Sequence, residues 1–423
     1  MRTLVIARPG RELRALTEAR AAADDDELRT AREMALAPRS ARKVPKSKSA
    51  AANGGRQLAL SAEPEDIASD VRALVGAGVR VDAALLDAAL RGWSVNTRRA
   101  FRSDLALWDK WCRSHAVLPA NATTELTARW VRALAGIEAS AQKVRAMATI
   151  ERYLIHVGWA YRMAGLPDPT SSPLVKFEKK AARKELGVRQ RQARAIRFKG
   201  EISDLDSPAS GVCLTHLLTA CRRDLLGYRD VALLRIAYDT AARRSELVAI
   251  DVKDIEGPDG EGAGVLFIPS SKTDQAGEGA YAYLSPASMA AIERWRAASG
   301  ISKGPLLRRV VTHFDGSIDR IGSERLHPNS IGLIYKCLVT RAWKKGLLGE
   351  MSETELNRWL KAVSSHSIRV GVAQDNFAAG EGLPAIMQAY RWRDSRTVMR
   401  YGARLATKSG SSARLAKRFS DQE

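Results

Sequence analysis

Seven side chains in the C-terminal half have types and spacings that could do chemistry. Arg243 and Glu246 stand three apart in TAARRSELVAID, and His366 and Arg369 stand three apart in HSIR. Lys272 sits on a turn between two predicted strands, and Tyr401 follows Trp392 by nine residues in WRDSRTVMRY. Guanidinium groups grip oxyanions through a planar fork that an ammonium cannot reproduce. Imidazole and ammonium groups move protons, and a phenol becomes a nucleophile once a base and nearby positive charge favour its anion. Such a set suits an anionic ester. Each member also has an ordinary reading: a surface ion pair at i, i+3, a solvated turn lysine, a chance HxxR in a basic protein, a core tyrosine. Their order along the chain is what sets them apart.

The rest of the chain says what these groups would act on. At 423 residues it is long for one compact domain, and with 45% hydrophobic and 27% charged residues it is globular in the main. No apolar run reaches about 18 residues, so no membrane span is expected. The opening MRTLVIARPG is too short in apolar residues for a signal peptide. Cys112, Cys213, Cys221 and Cys337 lie far apart with no CxxC pair, which gives neither a disulfide framework nor zinc-ligand spacing. A reducing, cytoplasmic compartment is expected. The net charge of +21 and pI near 10.1 point to a polyanionic partner, nucleic acid before a membrane surface. Residues 1–90 carry +2, residues 91–200 carry +14 and residues 201–423 carry +5, so two thirds of the excess sits in about a quarter of the chain.

Residues 1–64 read as a disordered extension, because Ala37–Gly55 has almost no large apolar residue. Residues 65–185 read as a helical DNA-binding bundle. Phe101, Leu105, Trp108 and Cys112 form one stripe, capped by Ser94 or Asn96; Leu126, Trp130 and Leu134 form a second; Ile150, Leu154, Val157 and Tyr161 form a third, stopped by Gly165 and Pro167. Arg98, Arg99, Arg102, Lys143, Arg145 and Arg152 are expected on outward faces. Lys176–Lys199 holds ten basic residues against Glu178 and Glu185, which suits a segment lying along phosphates with Lys179, Lys180, Arg183 and Lys184 in contact. A basic interdomain linker is expected over 186–209, and a second domain over 210–423. There, helices at Thr215–Cys221 and Arg229–Thr240 lead to strands at Gly264–Pro269 and Ala280–Leu284 joined by a polar hairpin, with helices from Pro286 to the end. The fold expected is mainly α with a small antiparallel sheet: a helical bundle followed by an α+β domain.

The order Arg, Lys, HxxR, Trp, Tyr behind a basic helical bundle resembles the tyrosine recombinase, or phage integrase, family, and its Cre-type branch most. The strings that carry the resemblance are IAYDTAARRSELVAIDVKDI, SSKTD, SSHSIRVGVAQDNFAAG and LPAIMQAYRWRDSRTVMRY. It spans roughly residues 85 to 415, including the bundle and its AGLPDP helix stop. Position by position it makes Arg243, Glu246, Lys272, His366, Arg369 and Trp392 the catalytic set, and Tyr401 the nucleophile. Trp392 replaces the histidine most of the family carries, as in the Cre-type branch. Six residues at four places depart from the pattern. Ala241-Ala242 replace Gly-Leu, Arg244 replaces an apolar residue, Ser365 replaces glycine, and Tyr390-Arg391 replace Gly-Gly. All four read as packing and local-geometry positions.

The resemblance implies site-specific strand cleavage and rejoining through a 3′-phosphotyrosyl link and a Holliday junction, serving integration, excision or resolution. Two arginines would neutralise the pentacoordinate phosphate, His366 would take the Tyr401 proton, Lys272 would protonate the leaving 5′ oxygen, and Trp392 would donate its indole N–H. Neither metal nor other cofactor is expected. The partners implied are double-stranded DNA with short inverted repeats and three further copies of the chain in a homotetramer, with Leu415 and Phe419 on a tail that docks into a neighbour. Relatives of this chemistry relax DNA as type IB topoisomerases or close hairpins as telomere resolvases. A non-catalytic DNA-binding protein of the same fold is the other alternative.

Overall fold

Apolar residues at helical spacing build the first of two units. In the computed structural model, residues 63–75, 81–140, 142–187, 192–200, 208–269, 278–313, 315–403 and 411–420 are described, and the units divide between Arg191 and Gln192. The first contains α1 (Pro64–Val75), α2 (Ala83–Gly92), α3 (Val95–Ser114), α4 (Thr124–Ala135), α5 (Met147–Met163) and α6 (Pro173–Leu186). Ser94 rather than Asn96 caps α3, accepting from the Thr97 amide, and Thr123 and Ser172 cap α4 and α6 in the same way. All three expected stripes are buried: Phe101, Trp108, Trp130, Ile150 and Val157 are fully enclosed. Each such side chain contributes about 1.5–3 kcal/mol. The Trp108 indole donates to the Tyr161 hydroxyl (3.1 Å), which in turn donates to the Pro119 carbonyl. Asp104 is buried among them. It is satisfied by Arg152, whose two nitrogens each lie 2.9 Å away, and by His156 Nδ1 at 2.7 Å. Arg152 is exposed, as expected, and its guanidinium is at the same time tied to this core carboxylate.

The second unit starts earlier than the sequence pattern indicates. Helix α6 takes Lys176 through Leu186 into the bundle, and Arg194–Gly200 is built into the second unit, so the expected linker 186–209 is connection only in part. Ile196 and Arg197 are buried there. The Ile196 amide donates to Ser367 O (2.9 Å), and Arg197 Nε to Asp375 (2.6 Å). Asp375 also accepts from the Phe198 amide (2.8 Å) and the Tyr238 hydroxyl (2.6 Å). Residues 188–191 and 201–207, and the expected N-terminal extension up to residue 62, lie outside the described residues.

The unit continues through α7 (Leu214–Ala220), α8 (Leu225–Thr240) and α9 (Arg244–Ala249) to an antiparallel sheet of β1 (Ile255–Glu256), β2 (Gly264–Ile268) and β3 (Ala280–Leu284), in that order. Leu266 faces Ala282 across β2 and β3, and Leu266, Ile268, Ala282 and Leu284 point into the core while Val265, Tyr281 and Tyr283 are exposed. After α10 (Pro286–Ser299) the chain forms a hairpin of β4 (Arg308–Thr312) and β5 (Ile318–Arg325), where helix was expected. Asp315 makes its turn by accepting from the amide and hydroxyl of Ser317. Then come α11 (Pro328–Lys344), α12 (Glu353–Ala362), α13 (Ser367–Ala378), α14 (Leu383–Ala389), α15 (Ser395–Gly402) and α16 (Ser411–Ser420). Trp295 and Tyr335 lie at the centre of this core.

Candidate active site

The corner between α8 and α9 presents Arg243. Helix α8 ends with Ala241 in the left-handed region (φ 43°), and the Ala242 amide donates back to the Thr240 hydroxyl (3.2 Å). Left-handed backbone disfavours any residue with a Cβ. This is the position where the resembling family has glycine. Arg243 then begins α9, and buried Glu246 holds it twice: one oxygen accepts from the Arg243 amide (2.9 Å), the other from its Nη1 (2.7 Å). A carboxylate at this helix start also complements the α9 dipole.

Helix α13 supplies the second pair. Ser367 is buried with its hydroxyl accepting from the Ser364 amide (3.0 Å), and Ser364 accepts from the His366 amide (3.2 Å), which fixes the start of the helix. Arg369, 4% exposed, donates through Nη1 to the carbonyl of Ala241, so α13 is stitched to the corner that carries Arg243. Its guanidinium stacks 4.7 Å from the centre of the Trp392 ring. The Trp392 and Tyr401 rings meet edge to face at 6.1 Å. Tyr401 lies half-buried on α15, with its carbonyl held by Gln374 of α13 (3.1 Å). Gly402 lets α15 approach: a Cβ there would stand 2.5 Å from the Phe377 ring.

The electrostatics are those of a site short of negative charge. Burial, then Arg243, pushes the Arg369 pKa down to about 10, against the pull of Glu246 and Tyr401. Burial, then the charges of Arg369, Arg244 and Arg243, holds His366 below its ordinary value, although part of the ring remains open to solvent. The imidazole is therefore neutral at pH 7 and able to accept a proton. The Trp392 Nε1 is buried with no acceptor among the described residues.

Arg243, Glu246, Arg369, Trp392 and Tyr401 are thus brought together, with His366 in the field of the two arginines. Lys272 lies outside the described residues. Sequence reasoning missed one side chain. Arg391, set aside as a packing position, puts a guanidinium against the Thr240 carbonyl (3.1 Å) and within the field of Arg243. Its signal was a charged residue where the family pattern has glycine.

The basic candidates lie in the first unit. Arg99 and Lys143 are exposed, and Arg145 is half-buried. Arg98 donates to the Leu90 carbonyl, and Arg102 is paired with Asp70 and Asp66. On α6, Lys180 and Lys184 are exposed and Lys179 is half-buried, while Arg183 pairs with Glu151.

Comparison with known proteins places this arrangement. The sequence model of the phage integrase family matches residues 213–407. The recombinase Cre of Escherichia phage P1 is 32% identical over 276 residues, 64% of this chain and 74% of that protein. An integrase/recombinase XerD homologue of Selenomonas ruminantium is 29% identical over 319 residues, 72% and 81% of the two. Among solved structures, XerH recombinase in a post-cleavage complex with palindromic difH substrate is 12% identical, with 75% of this chain and 78% of that one covered and a TM-score of 0.47. The Tn1549 transposon integrase with transposon right-end DNA is 13% identical, with 80% and 100% covered and a TM-score of 0.44.

Proposed function

The chain belongs to the phage integrase family of tyrosine recombinases, and on that premise we propose that it breaks and rejoins DNA at specific sites with Tyr401 as nucleophile. The observation that carries the assignment is the meeting of Arg369 from α13, Trp392 and Tyr401 at the corner that holds Arg243. A phosphodiester would take the place of the missing negative charge. Arg243 and Arg369 grip its non-bridging oxygens as the pentacoordinate state gains charge, and the orphaned Trp392 N–H donates to one of them. Glu246 holds Arg243 in position.

The Tyr401 oxygen attacks phosphorus while its proton passes to neutral His366. The 5′ oxygen leaves with a proton supplied by Lys272. The bond energy stays in a 3′-phosphotyrosyl link, so resealing needs no ATP: a free 5′ hydroxyl of the partner duplex attacks phosphorus and expels the phenolate. No metal takes part in this scheme. Four protomers on two inverted-repeat sites would exchange strands through a Holliday junction, with exposed Leu415 and Phe419 of α16 docking onto a neighbour. The basic residues of the first unit would follow the phosphates, in the cytoplasm where the DNA is. Among the described residues no helix is long and apolar enough to cross a membrane.

The test selects the chain's own site from duplex pools and presents it as a nicked suicide substrate. The wild-type protein should become covalently attached to the DNA. Tyr401→Phe should bind the same duplex with nearly unchanged affinity and form no adduct. An adduct with the Phe variant would overturn Tyr401 as nucleophile.

A further inference from the structure

Residue 391 precedes Trp392 at a place where the family pattern has glycine. Its backbone keeps the glycine conformation, with φ 56°, although the side chain is arginine. Left-handed backbone at a long side chain persists only where the surroundings hold it, and here they do. Arg391 Nη2 donates to the Thr240 carbonyl (3.1 Å) while Arg369 donates to the next one, Ala241. Two arginines from separate segments thus grip consecutive carbonyls of the corner that presents Arg243. The other amino group of Arg391, Nη1, is buried with no acceptor among the described residues, as is the indole nitrogen beside it in sequence. Buried donors are nearly always satisfied. A third guanidinium with an unused donor, burial lowering its pKa, Arg243 adding to that and only Glu246 opposing, is placed for an anion that binds from outside.

We propose that Arg391 is a third arginine of the phosphate site, fixing the Thr240–Ala241 corner with one amino group and presenting its charge and remaining N–H to the scissile phosphate. The inference rests on the reading of Tyr401 as the cleaving nucleophile. It gives the chain a cation that the glycine of its relatives cannot supply, and Arg391 is no longer a packing position.

The test compares wild type, Arg391→Gly and Arg391→Met in single-turnover cleavage of the nicked substrate. Glycine suits the left-handed backbone, so Arg391→Gly should unfold at no lower a temperature than wild type. Arg391→Met keeps bulk without charge. Both should bind DNA about as tightly as wild type and cleave about 10- to 100-fold more slowly. The alkaline limb of the rate profile should move to higher pH, because with one positive charge gone the proton donor of the site holds its proton more tightly. Millimolar guanidinium should restore part of the Arg391→Gly rate. Cleavage at the wild-type rate in both variants would overturn the inference. Slow cleavage with an unmoved limb and no rescue would do so too, leaving a purely structural strut. If wild type itself forms no Tyr401-dependent adduct, the underlying reading falls and the inference falls with it.

Discussion

His366 sits in a field of guanidinium groups, and its behaviour with pH follows from their sign. Burial, then Arg369, Arg244 and Arg243, lowers its pKa, so the ring stays neutral below its ordinary value of about 6.5. As the proposed base it must be neutral to accept the Tyr401 proton. Cleavage at low DNA concentration should therefore fall only as pH drops through a midpoint below that value. Arg244 is exposed and touches Asn329 (2.9 Å), so Arg244→Gln removes one positive charge with little damage to the fold. The His366 midpoint should then move up, by NMR titration of the ring, and the acid limb of the rate should move with it. A midpoint that stays put would show that the charge of Arg244 does not reach the imidazole. Arg243, Glu246, Arg369, Trp392 and Tyr401, which the structure brings together, could be named from the sequence because their order is distinctive, while Lys272 lies outside the described residues. Arg391 could not be, since only its backbone angle and its bond to the Thr240 carbonyl show that it turns inward.

Helix α15 holds Tyr401 at a distance set by a glycine. A Cβ on Gly402 would overlap the Phe377 ring of α13, and ring atoms cannot swing clear as a flexible chain end can. Gly402→Ala should push α15 away, costing about 1–3 kcal/mol of stability and slowing adduct formation about 100-fold, since shifts near 1 Å have that effect on positioned groups. Adding Phe377→Ala should restore much of the rate, measured on the same nicked substrate. Restoration would identify the contact as the cause; no recovery would place the damage elsewhere. The helices of both units could be read from apolar stripes such as Phe101 to Cys112, and β2 and β3 from their alternation. The β4–β5 hairpin could not. Its strands carry arginines on their exposed positions and bury little beyond Val310, so the period of two is too weak to compete with a helical reading.

Two thirds of the net charge of the whole molecule, +14 of +21, falls on residues 91–200, the stretch that contains α6. Neutralising Lys179, Lys180, Arg183 and Lys184 together should weaken specific and random DNA by similar factors, because phosphate contacts position and base contacts specify. Of the four, Arg183 has a carboxylate partner among the described residues, Glu151. Three net contacts are then expected, and the slope of log affinity against log salt should flatten by about 2.7. Filter binding across several salt concentrations reads this directly. An unchanged slope would mean that α6 faces solvent, and a selective loss of specific binding would mean that it reads bases. The sequence showed this basic run but not its partition. The small buried stripe of Val175 and Ala182 that makes α6 part of the bundle is short, and the burial of Ile196 and Arg197 depends on a helix some 170 residues downstream.

That partition decides where the protein can be cut and recombined as a piece of engineering. A chimera that takes its recognition unit from one recombinase and its chemistry from this one has a natural seam at 188–191, between the last residue of α6 and Gln192. Placing the junction at 209, where composition alone suggests it, would discard the strand of chain that crosses Gly371 so closely that a Cβ there would stand 1.9 Å from the Ile196 carbonyl. It would also leave Asp375 buried without Arg197, a loss of about 3–5 kcal/mol. A fusion joined at 190 should fold and cleave with borrowed specificity, while one joined at 209 should accumulate as insoluble chain. Equal solubility and activity of the two fusions would show that the crossing strand is dispensable. The portable module therefore begins with a segment that looks like connecting rope and behaves as part of the engine block.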